Sequence, residues 1–245
     1  MPKTLEIACD SIRSAVEAER GGAHRIELCD NLAQGGITPS AAKIQLAKKY
    51  LSIPVFVLIR PRKGDFLYSD LEMETMLANI QIAKDLGADG IVSGCLNADG
   101  TLAQQQLAQL LAAATPLSFT FHRAFDMCRA ADVVLEQLIQ FGVDRVLTAG
   151  QATSAIVGKE QIAQWVAQAA GRIQIMAGAG IRAHNIQQLL DIPGLTAFHS
   201  SAKRKQRSQM QYKGQAAMGR ENVEQEFEWT MVSEEEVRRM VEEIK

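Results

Sequence analysis

The chain has 245 residues, with 26 Lys plus Arg against 28 Asp plus Glu and a formal charge of -2, which excludes an overall basic nucleic-acid binder. With 47% hydrophobic and 22% charged residues, the composition is that of an ordinary folded domain, so collagenous, fibrous and disordered classes fall away. No apolar run approaches the ~18 residues of a bilayer span, and Lys3-Thr4-Leu5-Glu6-Ile7 runs into Asp10 without the apolar segment of a secretory signal, so a cytoplasmic protein with no membrane partner is expected.

In chain order, apolar runs alternate with amphipathic stretches. A strand over 5–9 is followed by a helix over 11–20, which Gly21-Gly22 closes. A second strand over 25–29 leads to a helix opened by Thr38-Pro39-Ser40, and a third over 55–60 leads to a helix over 70–86. Further strands fall at 90–95, 118–122, 145–148, 173–177 and 197–200, with helices at 101–113, 130–141, 158–170 and 182–190. Eight strand–helix units without a G-x-G-x-x-G turn after the first strand predict an α/β fold of the TIM (β/α)8 barrel type, a single domain over 1–245. Residues 1–201 hold eight strands and seven helices, 202–232 form a long polar connection, and Ser233-x-x-Glu236 caps a closing helix over 233–245. Such a connection, with Lys203-Arg204-Lys205 and Arg207, suits a solvated excursion or a partner-contacting arm.

Side chains alternate along a strand, so parity sorts barrel-facing from helix-facing residues. It turns Glu6, Ala8, Glu27, Cys29, Phe56, Leu58, Arg60, Thr120, His122, Thr148, Met176 and His199 inward, with Arg62 continuing the parity of Arg60. Charged groups inside strands are costly to bury unless paired. Glu6, near a strand start, suits a neutralising layer deep in the barrel. Arg60, Arg62, His122, Arg123 and His199 fall at the C-terminal strand ends, the working face of this fold. Gly178-Ala179-Gly180 before a helix, and His199-Ser200-Ser201 at the last strand end, expose backbone N–H groups where barrels hold phosphate or carboxylate.

Five strings carry a resemblance: Glu27-Leu28-Cys29, Gly35-Gly36-Ile37-Thr38-Pro39-Ser40, Ile59-Arg60-Pro61-Arg62-x-Gly64-Asp65-Phe66-x-Tyr68, Thr120-Phe121-His122-Arg123-Ala124-Phe125-Asp126 and Met176-Ala177-Gly178-Ala179-Gly180. The chain resembles the CutC family, named for copper homeostasis. The resemblance runs from Leu5 to about Ser201 and implies a cytoplasmic TIM-type barrel, often a homo-oligomer, linked to copper. It departs at Thr148-Ala149-Gly150, where the family usually has serine before the glycine.

Two readings of the site follow. Copper(I) needs converging thiolates or thioethers. The set available is Cys29 with Met176 inside the barrel and Cys128 or Met127 after the fifth strand, with His122 as a harder ligand; no C-x-x-C pair occurs. The other reading is an enzyme acting on a small anionic molecule: Arg60, Arg62 and Arg123 clamp the charge, and His122 is the acid or base. Glu27 or Asp126 orients His122, and Gly178, Gly180, His199, Ser200 and Ser201 complete the phosphate or carboxylate site. The absence of an inward lysine at a strand end argues against Schiff-base chemistry. A third reading is an interaction protein whose final connection docks a partner, with a homodimer or higher homo-oligomer the commonest outcome for such barrels and no nucleic-acid partner.

Overall fold

Strand and helix alternate throughout the computed structural model, which describes residues 2–216 and 222–245. The strands are β1 (Thr4–Cys9), β2 (Arg25–Leu28), β3 (Val55–Leu58), β4 (Gly90–Ser93), β5 (Ser118–Phe121), β6 (Arg145–Thr148), β7 (Gln174–Ala177) and β8 (Ala197–Ser200). Each pairs in parallel with the next, and β8 returns to β1 with Glu6 beside His199, closing the barrel. The interleaved helices are α1 (Ile12–Arg20), α2 (Ala41–Tyr50), α3 (Asp70–Asp85), α4 (Gln104–Ala114), α5 (Ala131–Gln140), α6 (Lys159–Ala169), α7 (Gln187–Leu190) and α8 (Glu234–Ile244).

The serines that mark helix starts in the sequence act as caps. Ser11 and Ser40 accept the backbone N–H groups of Ser14 and Lys43, Ser69 and Glu72 form a capping box, and Ser233 accepts from Glu236. The expected helix over 182–190 shrinks to one turn, Gln187–Leu190, because the residues before it form turns in which Asn185 Oδ1 accepts the Arg182 N–H at 2.8 Å.

Parity divides the core as expected. Leu5, Ile7, Val55, Val57, Phe119 and Phe121 lie in the layer beneath the helices, with Trp165, Val237 and Met240 packed over the same layer. Inside the barrel the N-terminal half is polar yet closed. The Phe56 ring lies between two guanidinium groups, Arg25 at 4.6 Å and Arg145 at 5.4 Å. Glu6 pairs with Arg25, as its place near a strand start suggested. Arg145 donates to Thr120 Oγ1 at 2.9 Å and Gln174 Oε1 at 2.6 Å, while burial and the neighbouring Arg25 charge hold its pKa down to about 10. Buried charges persist only when they are paired and hydrogen-bonded, and Arg25, Thr120 and Gln174 supply most of what Glu6 and Arg145 need.

Two expectations need correction. Thr148 does not face the barrel: its hydroxyl donates to Asp126 Oδ1 at 2.5 Å, and Leu147 instead packs inside with Met176 and Ala197. Since Arg145 points inward, the parity of β6 follows Arg145 and Leu147. The connection over 202–232 is also more than a polar excursion. Within it β9 (Lys203–Arg207) and β10 (Glu228–Val232) pair as an antiparallel ribbon. Its register sets Arg207 against Glu228 at 3.0 Å, Val232 N–H donates to Ser14 Oγ at 3.2 Å, and Arg204 reaches Glu17 on α1 at 3.4 Å. The two arginines of the basic run are thus tied to acidic neighbours, and residues 217–221 of this connection lie outside the described part. Among the described residues, no helix is long and apolar enough to cross a membrane.

Candidate functional site

The C-terminal ends of the strands surround a cavity of about 180 Å³, smaller than the roughly 300–1,000 Å³ of sites that take drug-sized ligands. Its walls carry Glu27 from β2, Arg60 after β3, His122 and Arg123 after β5, Leu147 from β6, Ala179 and Gly180 after β7, and His199 to Ser201 at β8. Phe66, Leu32 and Leu58 supply an apolar lining. In the closed strand order β5 stands opposite β1, and β2 and β8 flank β1. His122 therefore faces Glu27 and His199 across the mouth.

His122 is buried, and its ring lies 4.8 Å from the Phe66 ring, centroid to centroid. Nδ1 accepts the Ala124 N–H at 3.2 Å, which places the proton of the neutral ring on Nε2. Nε2 has no partner among the described residues. Burial, with the Arg60 charge adding to it, pushes the His122 pKa down to about 3. The ring is therefore a neutral hydrogen-bond donor at physiological pH.

Across the cavity His199 Nε2 donates to Glu27 Oε2 at 3.0 Å and lies 3.8 Å from Glu6 Oε1. Burial disfavours the imidazolium, but the Glu27 hydrogen bond and the Glu27 and Glu6 carboxylates outweigh it and push the His199 pKa above its ordinary value. His199 lies between two carboxylates, one of them also paired with Arg25, in a continuous polar chain from the mouth toward the barrel floor.

A third wall offers backbone donors. Ala179 and Gly180 both adopt the left-handed conformation, with φ of +77° and +74°, which costs the alanine on the order of 1–3 kcal/mol of strain. The N–H groups of Ala179, Gly180 and Ser201 meet no acceptor among the described residues. Arg123 lies beside them on the cavity wall, half-exposed. The expected contribution of a helix N-terminus is absent, since α7 begins at Gln187. Gly178 serves packing, because a Cβ there would stand 2.5 Å from Leu147 Cδ1. The Ser200 hydroxyl is spent on Ile181 O at 2.7 Å while accepting the Ala202 N–H.

Several expected roles do not match the contacts. Glu27 holds His199 rather than His122. Asp126 does not orient His122 either: its oxygens accept Thr148 Oγ1, the N–H groups of Ala149 and Gln151, and Arg123 Nε at 2.7 Å, tying the loop after β5 to the loop after β6. Arg60 reaches the cavity, but its guanidinium donates to Gly36 O at 3.0 Å and Gly64 O at 2.6 Å, bracing two loops. Arg62 turns away, to Glu72 Oε1 at 2.5 Å and Asp65 Oδ1 at 2.9 Å. Of the three expected clamping arginines, Arg123 alone keeps a guanidinium end turned to the mouth without backbone ties.

The sulfur atoms stay apart. Cys29 sits with Phe56, Leu58 and Val92, Met176 with Leu147 and Ala197, and Cys128 in the outer core. Met176 Sδ accepts Arg25 Nη2 at 3.5 Å, Cys29 Sγ donates to Cys9 O at 3.6 Å, and Cys128 Sγ donates to Phe125 O at 3.0 Å. Burial and the nearby Glu27 charge push the Cys29 thiol well up, so the thiolate that copper(I) prefers is disfavoured. Among the described residues, no three His, Cys, Asp or Glu side chains converge on a metal site. The set Cys29, Met176 and Cys128 does not fit copper(I).

Sequence reasoning missed Gly94 and the pairing partner of Glu27. Gly94 gives no signal beyond being a glycine after a strand, whereas the equal inward parity of Glu27 on β2 and His199 on β8 was available once a closed order placed one strand between them.

The CutC family model matches residues 3–204. A copper homeostasis protein cutC homolog from Mus musculus is 48% identical over 91% of this chain and 82% of its own length, and one from Homo sapiens is 49% identical over 88% and 79%. Among solved structures, a copper homeostasis protein CutC from Streptococcus agalactiae is 34% identical with a TM-score of 0.78, covering 81% of this chain and 98% of that one. An aldolase, QR15, shares the barrel at a TM-score of 0.62 but only 15% identity, a likeness of fold alone.

Proposed function

This chain belongs to the CutC family, and we propose that its barrel mouth is the active site of a cytoplasmic enzyme that moves protons on a small phosphate- or carboxylate-bearing molecule. The observation that carries this is the buried, unpartnered Nε2–H of His122, a residue that lines the same small cavity as the Glu27–His199 pair. An unsatisfied buried donor costs roughly 1–3 kcal/mol, and such groups persist where a ligand completes them. The N–H groups of Ala179, Gly180 and Ser201, with Arg123, take the anionic end. His122 holds an oxygen on the reacting part, and Glu27 with His199 supplies the acid–base function.

The copper homeostasis in the relatives' names enters this reading as a physiological link, because the sulfur donors of this chain lie in separate clusters. Isothermal titration with inorganic phosphate tests the anion wall: binding to the native protein and at least tenfold weaker binding to Arg123→Ala supports it. Equal binding by the two proteins removes Arg123 from the site, and no binding to either removes phosphate as the anion.

A further inference from the structure

The reading of the mouth as an anion site with acid–base groups is the premise here, and the chemistry of His122 narrows the substrate. A wall built to hold a charged oxygen at rest would use an arginine or an imidazolium. His122 is neither: its Nδ1 is taken by the Ala124 N–H, and its Nε2–H is buried without a partner among the described residues, in a ring that packs on Phe66 and belongs to the cavity lining. The nearest guanidinium, Arg60, is committed to Gly36 O and Gly64 O. A neutral donor in an enclosed, partly apolar wall suits an oxygen that starts neutral and gains charge during reaction, as a carbonyl does on enolisation.

The opposite wall is matched to that step. Glu27 Oε2 is held by His199 Nε2 at 3.0 Å, which fixes the carboxylate, while Glu27 Oε1 has no partner among the described residues and the residue lines the cavity. A carboxylate anchored at one oxygen and open at the other is placed to take a proton from carbon. The three N–H groups of Ala179, Gly180 and Ser201, without acceptors among the described residues, lie in the turns after β7 and β8. Three donors on separate backbone units suit the three terminal oxygens of a phosphoryl group better than the two of a carboxylate.

We infer that the ligand is a small phosphorylated carbonyl compound, whose carbonyl oxygen is held by His122 Nε2–H while Glu27 removes a proton from the carbon beside the carbonyl. The C–H bond electrons form the new carbon–carbon π bond, the carbonyl π electrons move onto oxygen, and the proton ends on Glu27 Oε1. Return of a proton to that carbon regenerates the carbonyl compound, so the net change is exchange of the carbon-bound proton, with no oxidant or reductant consumed. His199 is a positioning residue in this step, since it acts through Glu27.

The test compares three probes by isothermal titration on the native chain: inorganic phosphate, glycerol 1-phosphate, and phosphoglycolohydroxamate, a stable mimic of a phosphorylated enolate. The inference expects the hydroxamate to bind at least tenfold more tightly than glycerol 1-phosphate, with that preference lost in Glu27→Gln and in His122→Phe while glycerol 1-phosphate still binds. Thermal unfolding checks that each variant folds, and Glu27→Gln, which keeps the side-chain shape, carries the test if His122→Phe does not. Equal affinity for the hydroxamate and glycerol 1-phosphate overturns the carbonyl inference and leaves the anion site standing. Binding of none of the three overturns both. A hydroxamate preference that survives in Glu27→Gln overturns the role of Glu27.

Discussion

Gly94 makes room for His122: a Cβ on Gly94 would stand 2.7 Å from His122 Nδ1 and 2.9 Å from Cε1, closer than carbon tolerates. The ring also depends on that edge for its bond to the Ala124 N–H. Gly94→Ala is therefore expected to lower stability by about 1–3 kcal/mol through overpacking and to weaken binding in the mouth, because the ring must shift. Urea unfolding and phosphate titration of the variant check both, and a Gly94→Ala protein with native stability and native binding would contradict the tight fit.

His122 is expected to remain neutral across the physiological range. Its pKa near 3, against an ordinary value of 6.5, means that the unfolded chain binds more protons than the folded one between those values. Stability contributed by this site is therefore present above about pH 6.5 and declines as pH falls toward 3. The imidazole signals of His122 in a heteronuclear NMR titration should show an Nε2–H neutral ring that does not titrate from pH 8 to 5; a midpoint near 6.5 would contradict its burial.

Breaking the Glu27–His199 pair leaves a buried ring nitrogen without its acceptor. Glu27→Ala is expected to cost about 1–3 kcal/mol, read by urea unfolding. Since His199 is raised above its ordinary value, the stability it brings is fully present below that value and fades as pH rises through its higher folded pKa. The groups facing it are Glu6 and Arg25 on adjoining β1 and β2 as well as Glu27, and Glu27 supplies both a hydrogen bond and a charge, so the fading should shrink in Glu27→Ala. Persistence of the same pH dependence in that variant would assign it to another group.

The barrel was legible because β-strand parity and serine caps repeat with every unit, and each is a local rule. The inward turn of Glu27, Arg60, His122 and His199 followed from that parity alone. What parity cannot give is where a long side chain ends. Arg62 shares the parity of Arg60, but Asp65 and Glu72 lie close enough to draw it outward. Asp126 is only four residues beyond His122 in sequence, yet Thr148 and the amides after β6 capture it across 22 to 25 residues of chain. The ribbon of β9 and β10 was hidden because its strands are short, polar and separated by residues without apolar alternation. The shift of β6 parity came from Arg145, a residue whose inward turn is paid for by Thr120 and Gln174, neither of which is near it in sequence.

The copper(I) set expected from the sequence makes a separate prediction. With Cys29, Met176 and Cys128 in different clusters, Cys29→Ala should leave copper(I) stoichiometry and affinity unchanged in a chelator competition. Loss of one bound copper(I) in Cys29→Ala would reinstate a sulfur site and require the clusters to rearrange.

The central claim is that one small anion sits on the backbone donors of Ala179, Gly180 and Ser201 at the barrel mouth. Nitrogen-15 chemical-shift mapping during titration with inorganic phosphate tests it most directly. The account predicts that those three amides shift together and saturate at a common phosphate concentration; shifts confined to surface lysines and arginines, with these three signals unmoved, would contradict it.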